Sequence, residues 1–235
     1  MKASELYKLI KSSDYKEVGS AVNYIIAPAV DSERKIVYLL FQESCGRVDW
    51  WHNLAFIAKA YKMYQNPKMT VHHGFADAYL SANDTIMEEL LEFLKSHPGY
   101  TVVIAGWSLG GAMAILAAED LNYRTRTDKN KPDTGVKPVL YTYGAPKVAA
   151  DDVTALYISC CIADESAQFA HKQDIVTHMP PFRRFRHIIK PTWVGPNLHI
   201  GTIWGLFNPW KYHTRYDEWL PKYTVDREET EPLVA

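Results

Sequence analysis

Residues 101–121 read TVVIAGWSLGGAMAILAAEDL, and the eighteen positions from Thr101 to Ala118 carry no charge. Length alone admits a membrane span, which needs roughly 20 apolar residues, and Gly106 and Gly110 form the GxxxG spacing of packed membrane helices. The composition changes midway, however. Thr101 to Ala105 are strand formers, Gly106, Ser108, Gly110 and Gly111 interrupt, and Ala112 to Leu121 are strong helix formers. A buried strand, a sharp turn and a helix account for that change; a continuous span does not. The turn spells G-x-S-x-G over Gly106, Trp107, Ser108, Leu109 and Gly110. This spacing suits a nucleophilic serine for a steric reason. A strained elbow lifts the hydroxyl above the sheet edge, and the glycines let backbone and helix approach closely. The new helix also aims its N–H groups and positive dipole end at any oxyanion formed there.

Working outward, 84–96 shows Ile86, Leu90, Phe93 and Leu94 at helical spacing, with Ser81 and Asp84 near its start and His97-Pro98-Gly99 as its stop. Residues 3–12 read as a short helix. The apolar runs 21–30 and 35–41, separated by the polar turn 31–34, predict a strand pair. PVLYTYGAPKV at 138–148 reads as a buried strand entering a turn. AQFAHKQDIV at 167–176 and RHIIKPTWVG at 186–195 are two further strands in this reading. Helices alternating with buried strands predict a single α/β domain over 1–235, with a mainly parallel sheet flanked by helices.

The whole-chain quantities agree. A 235-residue chain can bury a substantial core. Its net charge of −1 gives no general pull toward nucleic acid or anionic lipid. Cys45, Cys160 and Cys161 have no metal-site spacing, and the adjacent pair is poor disulfide geometry, so reduced thiols are expected. The first twenty residues hold no apolar leader run, which reads as a cytoplasmic protein.

A serine needs a general base, and the base needs an orienting carboxylate. Downstream of Ser108, Asp174 in HKQDIVTHMPP follows a predicted strand, where a triad acid belongs. Asp151, Asp152 and Asp164 read as loop or helix surface. Among the later histidines, His178 is too close to Asp174 for a separate loop, and His187 falls within a predicted strand. His199 and His213 remain, both in aromatic-rich, loop-like surroundings.

Seven stretches in order now resemble one family: FQES at 41–44, DW at 49–50, HHGF at 72–75, GWSLGGA at 106–112, YGAP at 143–146, DIVTHMPP at 174–181 and HTRY at 213–216. They resemble the fungal-type (class 3) lipases, a branch of the α/β hydrolases, and especially the small unsecreted members of bacteria and phages. The resemblance implies an α/β-hydrolase fold and a serine hydrolase of acyl-glycerol or related lipid esters. It assigns Ser108 as nucleophile, Asp174 as triad acid and His213, followed by Tyr216, as general base. It assigns the oxyanion donors to the N–H of Leu109 and to Ser44. It also implies a lid after the oxyanion strand, for which Trp50, Trp51, Leu54 and Phe56 could supply the apolar face, with Trp107 as a further lid or substrate contact. The implied partners are a lipid ester and a transient lipid interface, with no cofactor, no metal, no nucleic acid and no transmembrane segment.

Three positions depart from the family pattern. Trp107 stands where a histidine is usual, and Gln42 and Glu43 replace the Arg-Gly of the oxyanion stretch. An inward-pointing Glu43 carboxylate would oppose a developing oxyanion, and it is the feature that supports the alternative, a catalytically silent relative acting as a binding or scaffold module. Other readings are weaker. His72–His73 lacks further ligands at metal spacing, FRRFRH at 182–187 reads as a solvated basic face, and the apolar stretch 201–212 reads equally as an acyl-chain entrance or as core.

Overall fold

Alternating side chains along buried strands decide the architecture. The computed structural model describes residues 2–20, 22–28, 34–42, 58–60, 69–195 and 212–220. Seven strands form the main sheet: β1 (Lys16–Val18), β2 (Val22–Pro28), β3 (Ile36–Gln42), β6 (Thr101–Trp107), β7 (Val139–Tyr143), β8 (Ala167–Ala170) and β9 (Thr192–Trp193), in that spatial order. β1, β2 and β3 pair antiparallel, as the turn at 31–34 predicts, and β3 through β9 pair parallel. A small second sheet joins β4 (Ala58–Ala60) to β5 (Thr70–His72).

The strand period of two divides the sheet's side chains between two cores. Val37, Leu39, Phe41, Val102, Ile104 and Leu140 face one side, packed with α2 (His73–Leu80), α3 (Asn83–Ser96) and α4 (Leu109–Thr125). Tyr38, Leu40, Val103, Ala105, Trp107 and Tyr143 face the other, with α1 (Ala3–Ser12) and α7 (Tyr216–Trp219). α4 is buried at every position from Leu109 to Asn122, which is why its first ten residues need no charge. Truncating a fully buried residue such as Ile104 or Leu116 to alanine costs about 2–5 kcal/mol.

Several expectations need correction. The predicted strand at 167–176 ends at Ala170, because Asp174 accepts a hydrogen bond from the Val176 N–H and starts the short helix α6 (Ile175–His178). Of 186–195, only Thr192 and Trp193 join the sheet. The cap of α3 is Ala82 rather than Ser81; the Ser81 hydroxyl instead bonds the Ala78 carbonyl at the end of α2. Of the loop or helix surface expected around Asp151 and Asp152, the helix α5 (Asp152–Ser159) is what forms; Asp151 caps it by accepting from the Thr154 N–H at 2.6 Å.

Candidate active site

β6 ends at Trp107, and the next residue turns the chain sharply. Ser108 has φ 59° and ψ −127°, a left-handed conformation that a side-chain-bearing residue adopts at a cost of about 1–3 kcal/mol. Gly106 makes the bend feasible, since a Cβ there would collide with the Gly110 carbonyl. Leu109 then opens α4, whose first turn lies against the Phe41 carbonyl at the end of β3.

Three distant segments meet at this elbow. His213 Nε2 lies 2.6 Å from Ser108 Oγ, and its Nδ1 donates to Asp174 Oδ2 at 2.8 Å. Because the carboxylate can only accept at Nδ1, that nitrogen carries a proton, and the neutral tautomer so selected presents Nε2 to Ser108 as an acceptor. All three side chains are buried. The acid is held by three donors. Asp174 Oδ1 accepts from the Val176 N–H at 2.9 Å, and Oδ2 accepts from His213 and from the Tyr216 hydroxyl, at 2.8 Å each. Tyr216 in turn accepts from the His171 N–H, and burial holds its hydroxyl well above the ordinary tyrosine range. Gly144, just after β7, has φ +60°, and a Cβ there would stand 2.9 Å from Asp174 Oδ2 and 3.1 Å from the His213 ring. The YGAP turn is therefore a close-fitting wall of the site.

The competing residues lie elsewhere. Asp151 caps α5, and Asp152 pairs with Arg186. His178 donates to the Lys172 carbonyl and stacks on Trp193. His187 is half-buried and donates to the Thr177 carbonyl; burial lowers its imidazole to about 4. His72 is fully buried between Phe75 and Phe185, with neither ring nitrogen hydrogen-bonded among the described residues, and burial lowers it to about 4. Ser44, Glu43, the lid candidates Trp50, Trp51, Leu54 and Phe56, His199 and the stretch 201–211 lie outside the described residues. Trp107 is 7% exposed and packs against His213 on the α1 side of the sheet. Among the described residues no group of three His, Cys, Asp or Glu could hold a metal ion, and no helix is long and apolar enough to cross a membrane.

The Tyr216 bond to the acid and the Gly144 wall were missed as such by the sequence reading. The signals for both were present in HTRY and YGAP, but which atoms they touch emerges only when segments far apart in sequence meet.

This geometry can be set beside known proteins. The family profile described as Lipase (class 3) matches residues 38–184, more than half of the chain. The chain belongs to the class 3 lipase family. Among the class 3 lipases it resembles, the curated Rhizomucor miehei lipase is 31% identical over 83% of this chain and 50% of that protein. The solved propeptide complex of the Rhizomucor miehei lipase superposes with a TM-score of 0.62 at 31% identity, over 75% of this chain and 54% of that one. A further structure, described as a triacylglycerol lipase whose catalytic centre is a serine protease triad, has a TM-score of 0.62 at 28% identity, over 77% of this chain and 64% of that one. The chain spans about half the length of the curated relatives it matches. The fold is that of these lipases, a mostly parallel sheet flanked by helices.

Proposed function

We propose that this protein is a serine hydrolase that cleaves carboxylic esters of the acyl-glycerol type through an acyl-enzyme. The observation that carries the reading is the continuous hydrogen-bond chain from Ser108 Oγ through His213 to Asp174 at a strained strand-to-helix elbow. A solved relative described as a triacylglycerol lipase with a serine protease triad supports it.

In this mechanism His213 Nε2 takes the Ser108 proton as Oγ bonds the ester carbonyl carbon, and the carbonyl π electrons move onto oxygen. The N–H of Leu109, at the positive end of α4, faces that charge, and family resemblance assigns Ser44 as the second donor. Collapse of the tetrahedral adduct breaks the carbon–alkoxy bond, and the alcohol leaves with the proton from His213. Water then attacks the acyl carbon, gives its proton to Nε2, and a second collapse returns that proton to Ser108 as the carboxylic acid departs. Asp174 keeps the imidazole in the required tautomer and stabilises the imidazolium. Trp50 and Trp51 are proposed as the apolar face of a lid that meets a lipid interface; a solved relative is described as a model for interfacial activation in lipases.

The test is hydrolysis of a nitrophenyl ester series by the parent and by Ser108→Ala. Turnover that disappears in the variant, and rises with acyl chains presented as micelles, is expected. Equal rates in parent and variant would refute the assignment.

A further inference from the structure

Position 107 holds a histidine in the family pattern and a tryptophan here, and this tryptophan touches the general base in two ways. Register places it. Trp107 continues the α1-facing row Val103, Ala105, Trp107 of β6, opposite Tyr143 of β7. Its Nε1–H donates to the main-chain carbonyl of His213 at 3.1 Å, and its ring stacks on the His213 imidazole with centroids 5.1 Å apart and planes 25° apart. A third residue completes the arrangement. Lys11, near the end of α1, carries its ammonium 3.5 Å from the centroid of the same indole. α1 is itself tied beneath the site, since the Tyr143 hydroxyl donates to the Ala3 carbonyl and Tyr7 packs on both Tyr143 and Tyr216.

We infer that Trp107 is a positioning residue for the general base, and that Lys11 steadies the indole from the N-terminal helix. The inference rests on the reading of His213 as the base. The hydrogen bonds to Asp174 and Ser108 act at the rim of the imidazole, and Gly144 limits movement on one side. The Trp107 contacts act differently, on the face of the ring and on the 213 backbone. Indole suits both contacts: its single donor pins the carbonyl, and its π face covers the imidazole and is compatible with the imidazolium formed during reaction. A leucine could do neither. Because Trp107 is buried against His213, the inference is that it acts on turnover and not on substrate binding.

The experiment compares the parent with Trp107→Phe, Trp107→Leu, Lys11→Met and Lys11→Arg, reading kcat, KM, Tm and the downfield proton resonance of the His213 Nδ1–H bond to Asp174. Small misplacement of a reacting group is enough to cost orders of magnitude, so kcat should fall about tenfold in Trp107→Phe and about a hundredfold in Trp107→Leu with KM unchanged. Loss of the cation–π contact in Lys11→Met should lower kcat about threefold, with Lys11→Arg restoring it. The downfield resonance should broaden or shift in both Trp107 variants. A kcat within twofold of the parent in Trp107→Leu overturns the inference. So does a fall in Tm with kcat per folded molecule unchanged, since that assigns Trp107 to packing alone. If the parent hydrolyses no ester, the function proposed above fails instead, and the resonance still decides whether Trp107 holds His213.

Discussion

The two ends of α4 bury carboxylates under opposite terms. At its N-terminal end, Asp174 is fully buried and receives three hydrogen bonds, from Val176, His213 and Tyr216. Toward its C-terminal end, Glu119 is equally buried, yet among the described residues neither oxygen has a donor in good hydrogen-bonding geometry; Arg126 Nη2 stands 4.0 Å away. Arg126 directs its donors to Asn122, Tyr157, the Lys129 carbonyl and Cys161 instead. Burial therefore pushes the Glu119 carboxyl up to about 8, against the pull of Arg126 and of the Tyr157 hydroxyl. The neighbouring Asp120 is intermediate. It accepts from Tyr79 and Arg124, but burial still raises it to about 7. The two sites differ in the supply of converging donors, which offsets the cost of burying a carboxylate.

The largest effects should come from the donor-rich end. Ser108→Ala is expected to lower kcat by about four to six orders of magnitude with an unchanged far-UV spectrum. Asp174→Asn, which keeps the shape but offers the wrong tautomeric partner, should lower kcat by about 10⁴-fold. Tyr216→Phe removes one of the three donors while keeping the ring against Tyr7 and Trp219; steady-state kinetics should show a fall in kcat of about tenfold. A Tyr216→Phe enzyme as slow as Asp174→Asn would mean that the donors do not act separately.

The donor-poor end should govern stability against pH. A folded-state pKa raised above the unfolded value gives stability that is full below the ordinary carboxylate range and is lost as pH rises toward 8. Glu119→Gln should therefore flatten the decline in Tm between about pH 5 and pH 9, a change of several degrees by calorimetry. His72 acts in the opposite direction. Its folded-state pKa of about 4 lies below the unfolded value, so its contribution is present at neutral pH and lost as pH falls from about 6.5 toward 4. His72→Phe, which removes the group that must take up a proton in acid, should therefore raise Tm by a few degrees more at about pH 5 than at about pH 8.

The elbow was legible because local chemistry dictates it: β-branched residues, then Gly106 and Ser108, then a run of helix formers, all within one continuous stretch. The strand pair at 22–28 and 36–42 and the helix at 83–96 were legible for the same reason, since period and turn residues sit side by side. Asp174 was found although its element was misread. Hydrophobicity continues through Ile175 and Val176, but the aspartate caps its own N–H groups, and that local bond overrides strand propensity. The second strand was overread because Ile188 is buried, and Ile189 partly buried, by packing and not by pairing in the sheet. Choosing His213 over His199 needed the family resemblance, because no local pattern separates them. Trp107 and Lys11 were illegible as a pair. Nothing in the sequence says that α1 crosses beneath the end of β6, and only that crossing brings the ammonium to the indole.

The most direct test of the central claim is covalent. The parent, Ser108→Ala and His213→Ala would be treated with an alkyl fluorophosphonate, then measured by intact mass and peptide mapping. A single phosphonyl adduct on Ser108, absent in Ser108→Ala and forming far more slowly in His213→Ala, is what an activated serine at this elbow predicts. No adduct in the folded parent, or one on another residue that persists in Ser108→Ala, would contradict it.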